Sequence, residues 1–230
     1  MRRGDSKTGV RDSRGIAAAV RAFRTSVRAD HDFVVSLRER YPTGGSSMRS
    51  SGVLGDAVQK IGFQMMIAVR VMRLADELPI PMGGQIVSRL IRHLYGAEIH
   101  WQATIAPGVA IVHGTGLVIS HGATVGPGCV LSQHVTLGES IDPLSRAVGA
   151  PTLVREVHVG AGAVLLGPIE IGSGTKIMAN AVVDRSVAPG SVVRTPGATV
   201  EARRSSTLVT PAENAHPDLL IITPTTAAGT

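Results

Sequence analysis

Aromatic residues are scarce in this chain. Its 230 residues hold three Phe, two Tyr and one Trp, although 43% of the sequence is apolar. A core of that size ordinarily draws on aromatic rings. Small and β-branched side chains must fill it instead, so the interior should be narrow and repetitive. Cysteine occurs once, which excludes a disulfide framework and a cysteine-rich zinc module. No apolar run reaches the roughly 20 residues a membrane span requires. No apolar segment follows Met1-Arg2-Arg3, so a secretory signal is not expected and a cytoplasmic protein is.

The formal charge is +6, and it is unevenly placed. Residues 1–40 carry ten Lys or Arg against five Asp or Glu, and the rest carries thirteen against twelve. Acidic residues (Asp5, Asp12, Asp30, Asp32, Glu39) interleave the basic ones, as on a solvated helix face. With no interleaved aromatics and no binding motif, neither a nucleic-acid nor a membrane partner is expected.

The chain reads as an α+β protein. Residues 1–15 are expected to be a disordered basic N-terminus, and 16–96 an α-helical domain. Ile16-Ala17-Ala18-Ala19-Val20 opens a run of helix formers. From Leu54 to Leu78, Val58, Ile61, Met65, Ala68, Val69 and Met72 recur at spacings of three and four, which predicts one helix with one apolar face. Pro42 to Ser47 reads as a loop. A further helix is expected over Gln85–Tyr95, with Ile86, Leu90, Ile91 and Leu94 on one side and Gly96 as its C-cap.

Over 97–200 the period changes to six. Ile99, Ile105, Ile111 and Leu117 are six apart; the phase slips by two; Ile119, Val125, Leu131 and Leu137 follow. After an interruption near 139–152, Leu153, Val159, Leu165, Ile171, Ile177 and Val183 continue the step. The residue four after each aliphatic is mostly small or β-branched, as at Ala103, Val109, Thr115, Ala123, Cys129, Val135, Ala163, Thr175 and Ala181. This hexapeptide repeat predicts a parallel β-helix, a triangular prism in which one aliphatic per side points inward and small residues fill the corners. Residues 201–230 are expected to be a flexible tail, in which Leu219-Leu220-Ile221-Ile222 has the composition of a short strand.

Helices followed by this repeat resemble the serine acetyltransferase family, whose prism is left-handed. The resemblance rests on Glu98-Ile99-His100, fifteen residues before His113 in Val112-His113-Gly114-Thr115-Gly116, and on Val135-Thr136-Leu137-Gly138. It covers about 97–190 well and the helices in outline. It implies transfer of an acetyl group from acetyl-CoA to the hydroxyl of serine or a serine-like metabolite. By the match His113 is the general base and Glu98, at the family's aspartate position, orients it. The chemistry asks for such a group independently: an alcohol is not ionised at neutral pH, and a positioned histidine is the ordinary remedy. The coils at Gly138, Gly160, Ala161 and Ala179 resemble those that hold CoA. The family is a trimer or a dimer of trimers, with its site between adjacent prisms.

The departures fall on the acceptor side. The family's second histidine aligns with Ala150, a neighbouring arginine with Gly149, and the acidic residue before the base with Val112. Asp142 and Arg146 in the interrupting loop, and His134 on a following coil, are candidate substitutes, and His121 is a second coil histidine that can line the same cleft. Many family members end in an isoleucine that docks into cysteine synthase. This chain ends Gly229-Thr230, so no such complex is expected. His158 should point to solvent, Cys129 should pack a corner, and Trp101 stands either in a pocket wall or between helix and prism.

Rival readings are a polysaccharide or sugar O-acetyltransferase, a non-catalytic scaffold homologue, and a zinc lyase on a similar prism. The last needs two histidines five apart plus a third, and no histidine pair here has that spacing. No metal is expected.

Overall fold

The structure is a computed structural model that describes residues 13–40, 52–78, 80–141 and 146–196. The expected loop at 42–47 and the tail at 201–230 with its Leu219–Ile222 strand lie outside the described residues, as does Asp142.

Four helices come first: α1 (Ser13–Arg40), α2 (Gly52–Gln59), α3 (Ile61–Glu77) and α4 (Gly83–Tyr95). Helix begins at Ser13, so the last residues of the segment expected to be disordered are helical. The single helix expected from Leu54 to Leu78 is two. Lys60 adopts an extended conformation (φ −115°, ψ 102°), although Lys60 N still donates to Asp56 O and Gln64 N to Lys60 O, each at 2.9 Å. The reason is tertiary. Helix α3 runs so close to the prism that a Cβ on Gly62 would lie 2.0 Å from the Ile111 carbonyl oxygen. Past this contact Met65, Val69 and Met72 are buried, while Leu54, Val58 and Ile61 stay exposed. Helix α4 ends at Gly96 in the left-handed conformation (φ 61°), as expected. Its apolar side differs from expectation: Ile91 is buried, and Ile86, Leu90 and Leu94 face outward.

The strands form three parallel faces. The first stacks β1 (Glu98–Ile99), β4 (Val118–Ile119), β7 (Thr136–Gly138), β12 (Val164–Leu166) and β15 (Val182–Val183). The second stacks β2 (Thr104–Ile105), β5 (Thr124–Val125), β10 (Thr152–Leu153) and β13 (Glu170–Ile171). The third stacks β3 (Ala110–Val112), β6 (Val130–Ser132), β11 (His158–Val159), β14 (Lys176–Ile177) and β16 (Val192–Val193). This is the expected left-handed parallel β-helix, of about 5 turns. The register is the hexapeptide register: Ile99, Ile119, Leu137, Leu165 and Val183 stack on the first face. A cross-section of single aliphatic side chains leaves no room for rings, which is why aromatics are scarce.

Coil length locates the departures from regularity. Leu137 and Leu165 flank the ten-residue interruption, whose β8 (Ser140–Ile141) and β9 (Val148–Gly149) pair as an antiparallel hairpin. The first coil, from Ile99 to Ile119, is two residues longer than the coil from Ile119 to Leu137. The extra residues lie in the corner between Val112 and Leu117. Leu117, expected as an inward strand residue, therefore fills the corner position that Val135, Ala163 and Ala181 fill in later coils, and Thr115 is exposed in the corner position of Gln133 and Ala161.

Helices and prism share one apolar cluster, joined by a polar clamp. Buried Arg70 donates to both carboxylate oxygens of Asp30 (Nε–Oδ2 2.7 Å, Nη2–Oδ1 3.0 Å) and to the carbonyls of Ile105 and Ala106, each at 2.7 Å. Asp30 Oδ1 also accepts from Gly108 N at 2.8 Å. One ion pair thus ties α1 and α3 to the first coil. A second buried carboxylate, Asp56, sits 3.1 Å from Arg38 Nη1 and 3.3 Å from His31 Nε2.

Candidate active site

The chain turns three corners per coil, so each edge of the prism is a column of corner residues. On the edge between the third and first faces, Gly96, Gly116, His134, Gly162 and Asn180 occupy equivalent positions, all with φ between 56° and 71°. The column is held by backbone bonds such as Gly116 N to Gly96 O (2.8 Å) and Asn180 N to Ala161 O (2.9 Å). His113 belongs to this edge but not to the column. It rides on the extra residues, itself left-handed (φ 55°) and exposed. It borders a groove of about 570 Å³ between α1, the start of α3 and β3, with Arg38, Lys60, Phe63, Ile111 and Thr115 among the lining residues.

The candidate CoA residues divide. Gly160, Ala161 and Ala179 continue the His113 edge, and a Cβ on Gly160 would lie 2.6 Å from Ala179 N. His134 is on the same edge, its ring directly over Gly116, where a Cβ would meet Nδ1 at 2.2 Å. Gly138 stands apart. It ends β7 at the edge between the first and second faces, where a Cβ would lie 2.7 Å from Leu166 Cδ2.

Glu98, expected to orient His113, forms an ion pair with Arg92 of α4. Among the described residues no hydrogen bond or ion pair joins it to His113. Glu98 stands on β1 with α4 packed alongside, which brings the guanidinium within reach first.

The hairpin edge, between the first and second faces, holds the other acceptor-side candidates. Ala150 is half-buried against the core cluster, its Cβ 3.5 Å from where a Cβ on Gly122 would stand. Arg146 is exposed in the hairpin with φ 60°. Here the structure also holds a pair not anticipated: His121 Nδ1 lies 3.1 Å from Glu139 Oε2. His121 and His134, expected to share a cleft, are on different edges. The His121 ring is edge-on to His100 (centroids 5.7 Å apart), and His100 stacks on Trp101 (5.8 Å). Trp101 also touches Gly84 of α4, where a Cβ would meet its Cβ at 3.3 Å, so it is a helix–prism contact. The signal for the pair was spacing: His121 and Glu139 are one regular coil apart, so they stack.

His158 does not face solvent freely. It is half-buried beside α1, and burial, Lys176 and Arg40 hold its pKa below the ordinary value. Burial and the charge of His121 lower that of His100, against the pull of Glu98. Cys129 is fully buried in its corner, and burial raises its thiol pKa. A histidine with lowered folded pKa stabilises the fold above its unfolded pKa of about 6.5, and loses that contribution as pH falls toward the folded value. The melting temperature is therefore expected to fall between about pH 7 and about pH 5, more shallowly in His158→Gln, as thermal melts would show. Among the described residues no group of three or more His, Cys, Asp or Glu is placed to hold a metal ion, and no helix is long and apolar enough to cross a membrane.

No protein-family model matches this chain. It is 38% identical over 156 residues to a serine acetyltransferase of Synechococcus elongatus, covering 67% of this chain and 62% of that protein. To the Mycobacterium tuberculosis serine acetyltransferase it is 45% identical over 105 residues, 44% of each chain. The chain thus spans 44–62% of the length of these two curated relatives. Among solved structures, serine acetyltransferase isoform 3 of Entamoeba histolytica, in complex with cysteine, superposes with a TM-score of 0.67 at 26% identity, over 83% of this chain and 64% of that one. The Neisseria gonorrhoeae enzyme in complex with serine shares the fold, with a TM-score of 0.63 at 24% identity, over 81% and 72%. In sequence over 156 residues, and in its succession of helices and β-helix, this chain is a relative of the serine acetyltransferases.

Proposed function

We propose that the protein transfers an acetyl group from acetyl-CoA to the hydroxyl of serine or a serine-like small metabolite, with His113 as general base. The observation that carries this reading is the position of His113. It sits on the two residues added to the first coil, at the mouth of a groove and in line with Gly160, Ala161 and Ala179. The names of the relatives support it, as does a solved serine acetyltransferase in complex with CoA.

In this mechanism His113 accepts the hydroxyl proton as the alcohol oxygen attacks the thioester carbonyl. The tetrahedral intermediate collapses, the C–S bond breaks, and the imidazolium returns the proton to the departing thiolate. Free CoA and an acetyl ester result. Backbone N–H groups of the glycine-rich corners are the donors at hand for the oxyanion. Glu98 orients His113 only after releasing Arg92. Both partners are more than half exposed, and such surface pairs contribute about 0–1 kcal/mol, so the exchange is inexpensive.

The same reading has the protein act in the cytoplasm as a homotrimer or a dimer of trimers. The outward apolar side of α4, with Ile86, Leu90 and Leu94 exposed, supports association. The test is release of free thiol from acetyl-CoA by the full chain across a panel of alcohols that includes L-serine. Serine-dependent release is expected; if no alcohol accelerates release over buffer, the reading falls.

A further inference from the structure

The hairpin edge carries chemistry that the transfer mechanism leaves unused. Of the described histidines at the two edges considered for the site, His121 is the one with a carboxylate on its ring, Glu139 at 3.1 Å. A carboxylate only accepts, so the neutral His121 ring carries its proton on Nδ1 and leaves the Nε2 lone pair available. His100 has the opposite polarity. Gln102 N donates to its Nδ1 at 3.2 Å, so the neutral ring carries its proton on Nε2. Burial and His121 favour that neutral form. One acceptor and one donor nitrogen therefore stand on rings 5.7 Å apart, beside the Trp101 indole. Ser120, in register with His100 one coil away, has a buried Oγ with no hydrogen-bond partner among the described residues. The reacting hydroxyl is not the group that fits, since its one proton goes to His113; the end of an α-amino acid fits, because its ammonium donates and its carboxylate accepts.

We propose that His121, positioned by Glu139 and paired with His100, forms the acceptor-recognition site of this protein, binding the ammonium and carboxylate end of a small serine-like alcohol and leaving its hydroxyl to His113. The inference rests on the acetyl-transfer reading for its substrate. It adds an acceptor wall on an edge other than that of His113. A closed ring of identical chains joins two different surfaces of each, so a site between adjacent prisms takes its walls from two edges. The His113 edge is one. The edge between the second and third faces is flanked by α1, whose Phe33, Ser36 and Arg40 share a groove with Gly128, Glu156 and Lys176. The His113 groove is likewise lined by α1, so the choice of the hairpin edge rests on its complementary histidine pair. That edge is also where Ala150 offers only a methyl group, so the polar contacts there must come from neighbours, and His121 adjoins Gly122 beneath it.

The test uses the full chain with L-serine as probe, and two readouts. In histidine-selective NMR without acetyl-CoA, serine is expected to shift the His121 and His100 ring signals saturably, and Glu139→Gln, at an exposed position, to weaken that response about tenfold. In the thiol-release assay the same variant is expected to raise KM for serine about tenfold while KM for acetyl-CoA stays unchanged. His121→Gln is expected to weaken the remaining His100 response and to raise KM for serine likewise, with thermal melts confirming that both variants fold. Turnover with no ring shift and an unchanged serine KM overturns the proposal and leaves the transferase reading standing. A saturable ring shift that Glu139→Gln weakens, without turnover, supports the site and removes the transferase reading. Neither shift nor turnover overturns both.

Discussion

His113→Ala is expected to lower kcat for acetyl transfer by about 10²–10⁴ while leaving KM for acetyl-CoA nearly unchanged. A positioned general base contributes in that range, equivalent to about 3–5 kcal/mol of barrier. The split between kcat and KM follows from location. His113 stands on the extra residues of the first coil, whereas Gly160, Ala161 and Ala179 are corner residues of later coils that the substitution does not touch. The side chain is exposed and makes no hydrogen bond among the described residues, so the variant should melt with wild type. Steady-state kinetics with varied acetyl-CoA check this, and residual activity above about a tenth of wild type would remove His113 from the mechanism.

Asp30→Ala or Arg70→Ala is expected to destabilise the protein by about 3–5 kcal/mol, because each leaves a buried charge without its partner. At about 2–4 °C per kcal/mol for a chain of this size, the melting temperature should fall on the order of 10 °C. Replacing a buried ion pair by two apolar residues is often neutral, yet Asp30→Leu with Arg70→Met should not recover the loss. The pair also serves the backbone of the first coil. Without it the carbonyls of Ile105 and Ala106 and the N–H of Gly108 lose their partners. Thermal melts of the single and double variants separate these outcomes: a double variant as stable as wild type would reduce the clamp to an ordinary ion pair.

The prism was legible in the sequence because its rule is local and repeated. Ile171 must point inward for the same reason as Leu153 below it, and the six-residue step records that directly. Where a contact from elsewhere decides, the sequence was silent. The apolar spacing from Val58 through Met72 runs unbroken, yet the helix kinks at Lys60 because Gly62 meets the Ile111 backbone. The two-residue slip was visible, but its place was not. Periodicity allows Leu117 as a strand residue, and only the pairing of Ile99 with Ile119 shows that it fills a corner. At the site, His113 was found by motif. The His121–Glu139 pair requires coil length first, since two residues eighteen apart are neighbours only when each turn consumes eighteen. The Arg92–Glu98 pair depends on where α4 lies, which no motif encodes.

The left-handed column from Gly116 through His134 and Gly162 to Asn180 is also a ruler. Each coil advances it by one strand spacing, about 4.8 Å, so the distance from Gly116 to any later corner on that edge is fixed in whole steps. A thioester laid along it meets contacts at discrete heights, with Ala161 and Ala179 one step apart. Duplicating one regular coil would lengthen the reach by a single step without disturbing the stacked aliphatics, and deleting one would shorten it equally. On the proposed reading the reach available to a donor is thus graduated by the repeat, while both irregular segments, the extended first corner and the hairpin, lie outside that regular step.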